Sequence, residues 1–275
     1  MLKQRFFTAV VMAAVFLGLL FGLSATGFSL VILLLVMVAG WEWAGLANIK
    51  SKAGKAAYLG LLLATLATYG YFTGLGSAYD AEIGVQLSFS AIGLWAVIFL
   101  WIQGYPSSAI FWSPKPMLAL LGLILLAMTW IAVVTILHAE FGRWLLLLAI
   151  VIVVLADIGG YIAGKLFGKH KLAPIVSPGK TWEGFAGGML LQLVLISGLF
   201  WLLPDVGIRD LAVLIIPVAL YSVMGDLFES MLKRHAGVKD SSNLLPGHGG
   251  VLDRIDGIMS AMPLFLVLLS QTRPF

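Results

Sequence analysis

Residues 143–164 read RWLLLLAIVIVVLADIGGYIAG. From Trp144 to Ala156 no side chain carries charge, and the whole run is about 20 residues long, the length an α-helix needs to cross the hydrocarbon of a bilayer. Asp157 then interrupts it, and a carboxylate inside a span is costly enough to need a reason. Similar apolar runs recur outward from this one to both ends of the chain. Nine spans are predicted, over roughly 6–23, 28–47, 57–75, 84–103, 117–137, 143–164, 184–203, 211–231 and 255–271. The eighth carries a second carboxylate, Asp226. The expected fold class is an all-α polytopic integral membrane protein of about nine transmembrane helices.

Composition points the same way. Of 275 residues, 61% are hydrophobic and 11% charged, with a mean hydropathy of +1.03, far from the soluble range. No cysteine is present, which excludes disulfides, thiolate nucleophiles and Cys-ligated zinc. With 13 acidic residues against four histidines, a metal would be held by oxygen, and Mg²⁺ or a similar hard ion is expected. Lys3 and Arg5 before an apolar run resemble a signal peptide, but the run is long and no small-x-small cleavage site follows it. A retained first helix is expected.

Nine spans place the N-terminus and the loops after the second, fourth, sixth and eighth on one side. That side holds Lys3, Arg5, Lys50, Lys52, Lys55, Lys115, Lys165, Lys169, Lys171, Lys180, Lys233, Arg234, Lys239 and Arg254, or 14 of the 17 Lys and Arg residues. The other side holds Arg143, Arg209 and Arg273. The positive-inside rule makes the basic side, and with it the N-terminus, cytoplasmic.

The chain divides by composition into an N-terminal set of about five helices over 1–140 and a C-terminal region over 141–275, whose cytoplasmic loops at 165–183 and 232–254 hold most of the polar chemistry. In the first part, Trp41 and Trp43 read as interfacial belt residues and Glu42 as an interfacial carboxylate. The loop 103–116, rich in proline and aromatics, reads as an interfacial connector. No internal repeat stands out.

In the second part, Gly160, Gly164 and Gly168 recur every four residues, the pattern that lets helices approach closely. Asp157 is open between a buried ion pair with a lysine and a functional role. Lys165, Lys169 and Lys171 suit a headgroup anchor. Ser177-Pro-Gly-Lys180-Thr181 resembles the end of a P-loop, but position 174 is proline where the first glycine would stand, so a Walker A loop is excluded. What remains is a turn leading into a helix that Ser177 or Thr181 can cap, with Lys180 near N–H groups that favour an anion.

The densest charge lies at Ser230–Asp256, SMLKRHAGVKDSSNLLPGHGGVLDRID. Ser230, Lys233 and Arg234 follow Asp226 at helical spacing and share its face. Glu229 and Lys233 are spaced for an i,i+4 ion pair. Lys239-Asp240 leads to Pro246-Gly-His248-Gly249-Gly250, a turn whose backbone N–H groups can face a ligand oxygen. Asp253 and Asp256 share a face at the start of the ninth span. With Asp226 they present either a cation site or charge balance against Lys233, Arg234 and Arg254.

These residues resemble the phosphatidate cytidylyltransferases, the CDP-diacylglycerol synthases. The resemblance rests on Ser230, Lys233-Arg234, Lys239-Asp240, Pro246, His248-Gly249-Gly250 and Asp253-Arg254-Ile255-Asp256, together with Ser177-Pro178, Lys180-Thr181 and Glu183-Gly184. It implies that a phosphatidic acid oxygen attacks the α-phosphorus of CTP, giving CDP-diacylglycerol and pyrophosphate in phospholipid biosynthesis. It further implies Mg²⁺, with room for a second cation, on Asp226, Asp253 and Asp256. Catalytic charge would come from Lys233, Arg234, Lys239 and Arg254. Substrate contacts would come from Ser177, Lys180, Thr181, Ser230, Asp240, His248, Gly249 and Gly250. The expected setting is the bacterial cytoplasmic (inner) membrane with a cytoplasmic active face, membrane lipids around it and no nucleic acid; a homodimer stays open. Two alternatives remain: another Mg²⁺-dependent lipid-phosphate transferase or lipid kinase, and an ion-coupled transporter in which Asp157 and Asp226 relay ions.

Overall fold

A computed structural model of the chain describes residues 2–244 and 249–271, with side chains from Val10 onward. Among them, nine helices of 20 to 28 residues carry the fold: α1 (Leu2–Gly22), α2 (Ala25–Leu46), α3 (Lys52–Phe72), α4 (Glu82–Gln103), α6 (Lys115–His138), α7 (Gly142–Phe167), α8 (Trp182–Leu202), α9 (Ile208–His235) and α10 (Leu252–Gln271). A one-turn helix, α5 (Ala109–Trp112), lies between α4 and α6. Six of the long helices, α2, α4 and α6 to α9, are both long and apolar enough to cross a membrane. The architecture is that of a polytopic helical membrane protein.

Helix starts follow local chemistry. Ser24 Oγ accepts the N–H of Gly27 at 3.0 Å, Ser51 Oγ that of Gly54 at 3.0 Å, and Thr181 Oγ1 that of Gly184 at 3.1 Å. Each satisfies an N–H that the helix itself leaves without a partner. Such polar first turns lie outside apolar runs, so most helices extend beyond the predicted spans. The largest extension is at α9, which continues through Lys233-Arg234 to His235. Asp226 therefore lies nine residues from the helix end, about 2.5 turns.

The expectation of helix alone needs one correction. Between α7 and α8 the chain forms an antiparallel hairpin, β1 (Lys171–Ala173) with β2 (Ser177–Thr181), pairing Lys171 with Thr181 and Ala173 with Ser177. A second correction concerns the tryptophans of α2. Trp41 is exposed, with the Lys55 ammonium 4.9 Å from its ring centroid. Trp43 is fully buried, and its Nε1 donates to Leu118 O at 2.8 Å. Residues two apart on a helix point about 200° apart, so the pair cannot both face lipid.

The central helix is α6, buried along most of its length, with α2, α4, α7 and α10 around it. In a bilayer, close packing and hydrogen bonds, rather than water exclusion, hold such helices together. The closest approach is between α7 and α8, where the glycines of the two helices face one another. A Cβ on Gly188 would stand 2.7 Å from Ala156 O, and one on Gly184 2.7 Å from Gly160 O. Gly188→Val is expected to lower the thermal midpoint in detergent by about 3 °C or more, since overpacking costs roughly 1–3 kcal/mol. Gly198→Ala, on the same helix with nothing within 4 Å, should leave it level or slightly raised. Equal midpoints for Gly188→Val and the parent would rule out the backbone contact.

Candidate active site

The hairpin closes one end of a cavity of about 500 Å³ between α7, α8 and α9. Its walls include Asp157 of α7, Ser177, Lys180 and Thr181 of the hairpin, Phe185 of α8 and Asp226 of α9. Two contacts tie the hairpin down. Glu183, the second residue of α8, accepts the backbone N–H groups of Lys169 and His170 at 3.0 and 3.2 Å and pairs with His170 Nδ1 at 2.6 Å. Lys180 Nζ then reaches across the cavity to Asp226 Oδ2 at 2.5 Å. Thr181 spends its Oγ1 on capping α8, while Ser177 stands at the head of β2.

Asp226 also accepts from Ser230 Oγ at 3.3 Å. Three carboxylates, Asp157, Asp226 and Asp256, lie within electrostatic reach of one another although they come from α7, α9 and α10. Asp157 and Asp226 stand ten and nine residues from the ends of their helices, at nearly one depth. Lys180 and Arg254 both act on Asp157 from the same end.

Asp253 belongs to a different set of contacts. Its Oδ1 accepts from Lys233 Nζ at 2.5 Å, and its Oδ2 accepts from Ser241 N, Ser241 Oγ and Gly250 N at 2.9, 2.8 and 2.7 Å. Lys233 bonds also to Glu229, four residues earlier, at 2.5 Å. Glu229 is fully buried, and its Oε1 finds no hydrogen-bond partner among the described residues. Gly249 has φ +82, and a Cβ there would stand 2.7 Å from Asp253 Oδ2. Both the positive φ and the lack of space call for glycine.

Of the other residues expected at the site, Arg234 leaves α9 toward the hairpin, where its Nε donates to Val176 O at 3.4 Å. Lys239 and Asp240 are exposed in the turn after α9. Pro246 and His248 lie outside the described residues. Glu42, expected as an interfacial carboxylate, is instead buried and accepts bonds from Ser241, Ser242, Val251 and Leu252.

The carboxylates offer the donor set that a hard divalent cation takes, oxygen from Asp side chains. Asp157, Asp226 and Asp256 act on one another electrostatically, whereas Asp253 turns toward Lys233. Among the described residues, no three acidic or histidine side chains stand close enough to chelate an ion, and the Lys180 ammonium neutralises Asp226 instead. In its chemistry the donor set fits Mg²⁺.

Two carboxylates, Asp157 and Asp226, and the Lys180 ammonium line a cavity within a helical bundle, and charge at such a place in a membrane protein needs a reason. The sequence profile of the cytidylyltransferase family matches residues 3–272, and the chain belongs to that family. It is similar to the phosphatidate cytidylyltransferase of Haemophilus influenzae, at 39% identity with 96% of this chain and 97% of that protein covered. The same holds for the phosphatidate cytidylyltransferase of Pseudomonas aeruginosa, at 39% identity with 98% and 97% covered. The enzyme of that name from Staphylococcus haemolyticus is 47% identical over 47% of this chain.

Proposed function

We propose that this chain transfers a cytidylyl group from CTP to phosphatidic acid, releasing pyrophosphate and leaving CDP-diacylglycerol in the membrane. It is a nucleotidyltransferase of phospholipid biosynthesis and an integral protein of the bacterial cytoplasmic membrane. The observation that carries the reading to the residues is the Lys180–Asp226 bridge across a cavity with Asp157 and Asp256 close by, in a chain that matches the family almost end to end.

The reaction asks for little covalent work from the protein. A phosphate monoester is already a nucleophile near neutral pH, so positioning and charge neutralisation are the main needs. In this reading Lys180 and Lys233 meet phosphate oxygens once substrates displace their carboxylate partners. Arg234, Lys239 and Arg254 add positive charge at the same end. Ser177 and Thr181 line the cavity and Ser230 is bonded to Asp226; in this reading they contact substrate, together with Asp240, Gly249 and Gly250, with His248 as a nucleotide contact. Mg²⁺ on Asp226 and Asp256, with Asp157 or Asp253 completing the set, would neutralise charge growing on the departing pyrophosphate. Residues 141–275 form the catalytic region in this reading and residues 1–140 its support. Every residue invoked comes from one chain, so a homodimer is compatible with it and not required.

The test is purified protein in detergent with phosphatidic acid, Mg²⁺ and each labelled nucleotide in turn. Label is expected in lipid from α-labelled CTP and not from γ-labelled nucleotide; transfer of the γ-phosphate would mean a lipid kinase. Orientation is tested in this Cys-free chain by single cysteines. Ser51→Cys, Lys171→Cys and Asn243→Cys should label from the cytoplasm and Gly207→Cys from outside. Labelling of Lys171→Cys and Asn243→Cys from opposite faces would break the single active face.

A further inference from the structure

We infer that Glu42, on the second helix and far in sequence from the catalytic region, is a positioning residue that clamps both ends of the loop carrying Gly249-Gly250 and sets the place of Asp253. Glu42 is 4% exposed. Its Oε1 accepts from Ser242 Oγ at 2.6 Å and Val251 N at 3.0 Å. Its Oε2 accepts from Leu252 N at 2.7 Å and Ser241 Oγ at 3.2 Å. One oxygen therefore holds a hydroxyl from the start of the loop and a backbone N–H from its end, and the other oxygen repeats the arrangement.

Simple membrane anchoring does not call for four donors. Leu252 opens α10 and Val251 immediately precedes it, and the helix has no intrahelical partners for their N–H groups. A carboxylate there also meets the positive end of the helix dipole. Glu42 thus fixes where α10 begins, one residue before Asp253 and four before Asp256. Ser241 is shared: its one hydroxyl proton lies between Asp253 Oδ2 at 2.8 Å and Glu42 Oε2 at 3.2 Å. From Glu42 the line of contacts runs through Ser241 to Asp253, then to Lys233 on α9. Gly250 has no room for a side chain, since a Cβ would stand 2.6 Å from Glu42 Oε1. Glu42 does not line the cavity, so its effect is exerted through the loop. Small misplacements of reacting groups can cost as much as about 10²-fold in rate.

The kinetic part rests on the proposed cytidylyl transfer; the clamp itself can be measured without it. Full-length Glu42→Gln keeps the size of the side chain but replaces one acceptor oxygen by a donor. In detergent with CTP and phosphatidic acid, kcat per folded molecule should fall about 10-fold or more, with both KM values within about threefold, as expected when oriented groups rather than binding are lost. Ser242→Ala, which removes one of the four donors, should show a smaller loss in the same direction. Trp130→Phe, which breaks a buried bond to Ser29 O far from this loop, should lower the thermal midpoint without this loss of kcat. Hydrogen exchange is the second readout: amides at Val251 and Leu252 should exchange faster in Glu42→Gln while those of α3 and α4 do not change. Wild-type kcat and wild-type protection in Glu42→Gln would overturn the assignment. Should Glu42→Gln fail to fold, Ser242→Ala decides, and unchanged rate and protection there overturn it equally. If the parent shows no transfer from CTP, the function falls and exchange alone judges the clamp.

Discussion

Asp226→Asn and Asp256→Asn are each expected to lower turnover by at least ~10²-fold, a loss that excess Mg²⁺ does not restore. Asp226 is bonded to both Lys180 and Ser230 and lies within reach of Asp157 and Asp256. An amide of nearly the same shape removes the counter-charge for Lys180 and one oxygen donor for a hard cation at once. The fold should survive, because Lys180 is 23% exposed and its ammonium can turn to water. Intact thermal midpoints with lost turnover would therefore point to chemistry rather than folding. Treatment of the parent with a chelator should stop the reaction, and Mg²⁺ should restart it. Near-normal turnover in Asp226→Asn, with unchanged dependence on Mg²⁺, would remove the residue from the site.

The second large effect is at Lys233, where stability and activity should separate. Its ammonium lies between Glu229, which is fully buried, and Asp253. Removing one partner of a buried ionic group leaves the other charge uncompensated and costs about 3–5 kcal/mol. Lys233→Met should accordingly be both inactive and poorly folded. In the double variant Lys233→Met, Glu229→Gln the buried Glu229 charge is gone and Asp253 keeps its bonds from Ser241 and Gly250, so the thermal midpoint should largely recover while turnover does not. Recovery of turnover with the midpoint would make Lys233 a structural ion-pair residue alone. Lys169→Gln provides the contrast. Lys169 is exposed beside the hairpin, so its loss should act through apparent affinity for phosphatidic acid and be relieved by added anionic lipid.

Much of this arrangement is legible in the sequence, and the parts that are not share a physical reason. Apolar runs announce helices because the bilayer sets their length, and Glu229–Lys233 follows from helical spacing. The partners of Asp157 are a different matter. Its cost inside α7 is visible, but its nearness to Asp226 and Asp256 depends on how α7, α9 and α10 pack. Asp253 and Asp256 look equivalent at i,i+3, yet Lys233 and the loop N–H groups draw Asp253 aside. Glu42 is the clearest miss: between two tryptophans near a helix end it has a sufficient surface explanation, and its four donors lie about 200 residues away. The hairpin escapes because its strands are three and five residues long and the second contains Pro178 and Gly179.

The placement of the cavity bears on a problem of phases. One proposed reactant is soluble in water and the other in hydrocarbon, and lifting a lipid clear of the bilayer costs about 0.8 kcal/mol for every methylene exposed. The cavity has ammonium and carboxylate groups at the hairpin end, and its walls continue along α7 and α8 past Tyr161, Phe185 and Met189. Tyr161 is 67% exposed on the outer face, and α8 buries little of itself in the bundle. A headgroup can enter sideways there while its tails stay among neighbouring chains. In the proposed reaction only the nucleotide would have to cross from water to the cavity. The product, now carrying a larger polar head on the same tails, can leave by lateral diffusion, with no extraction step in either direction.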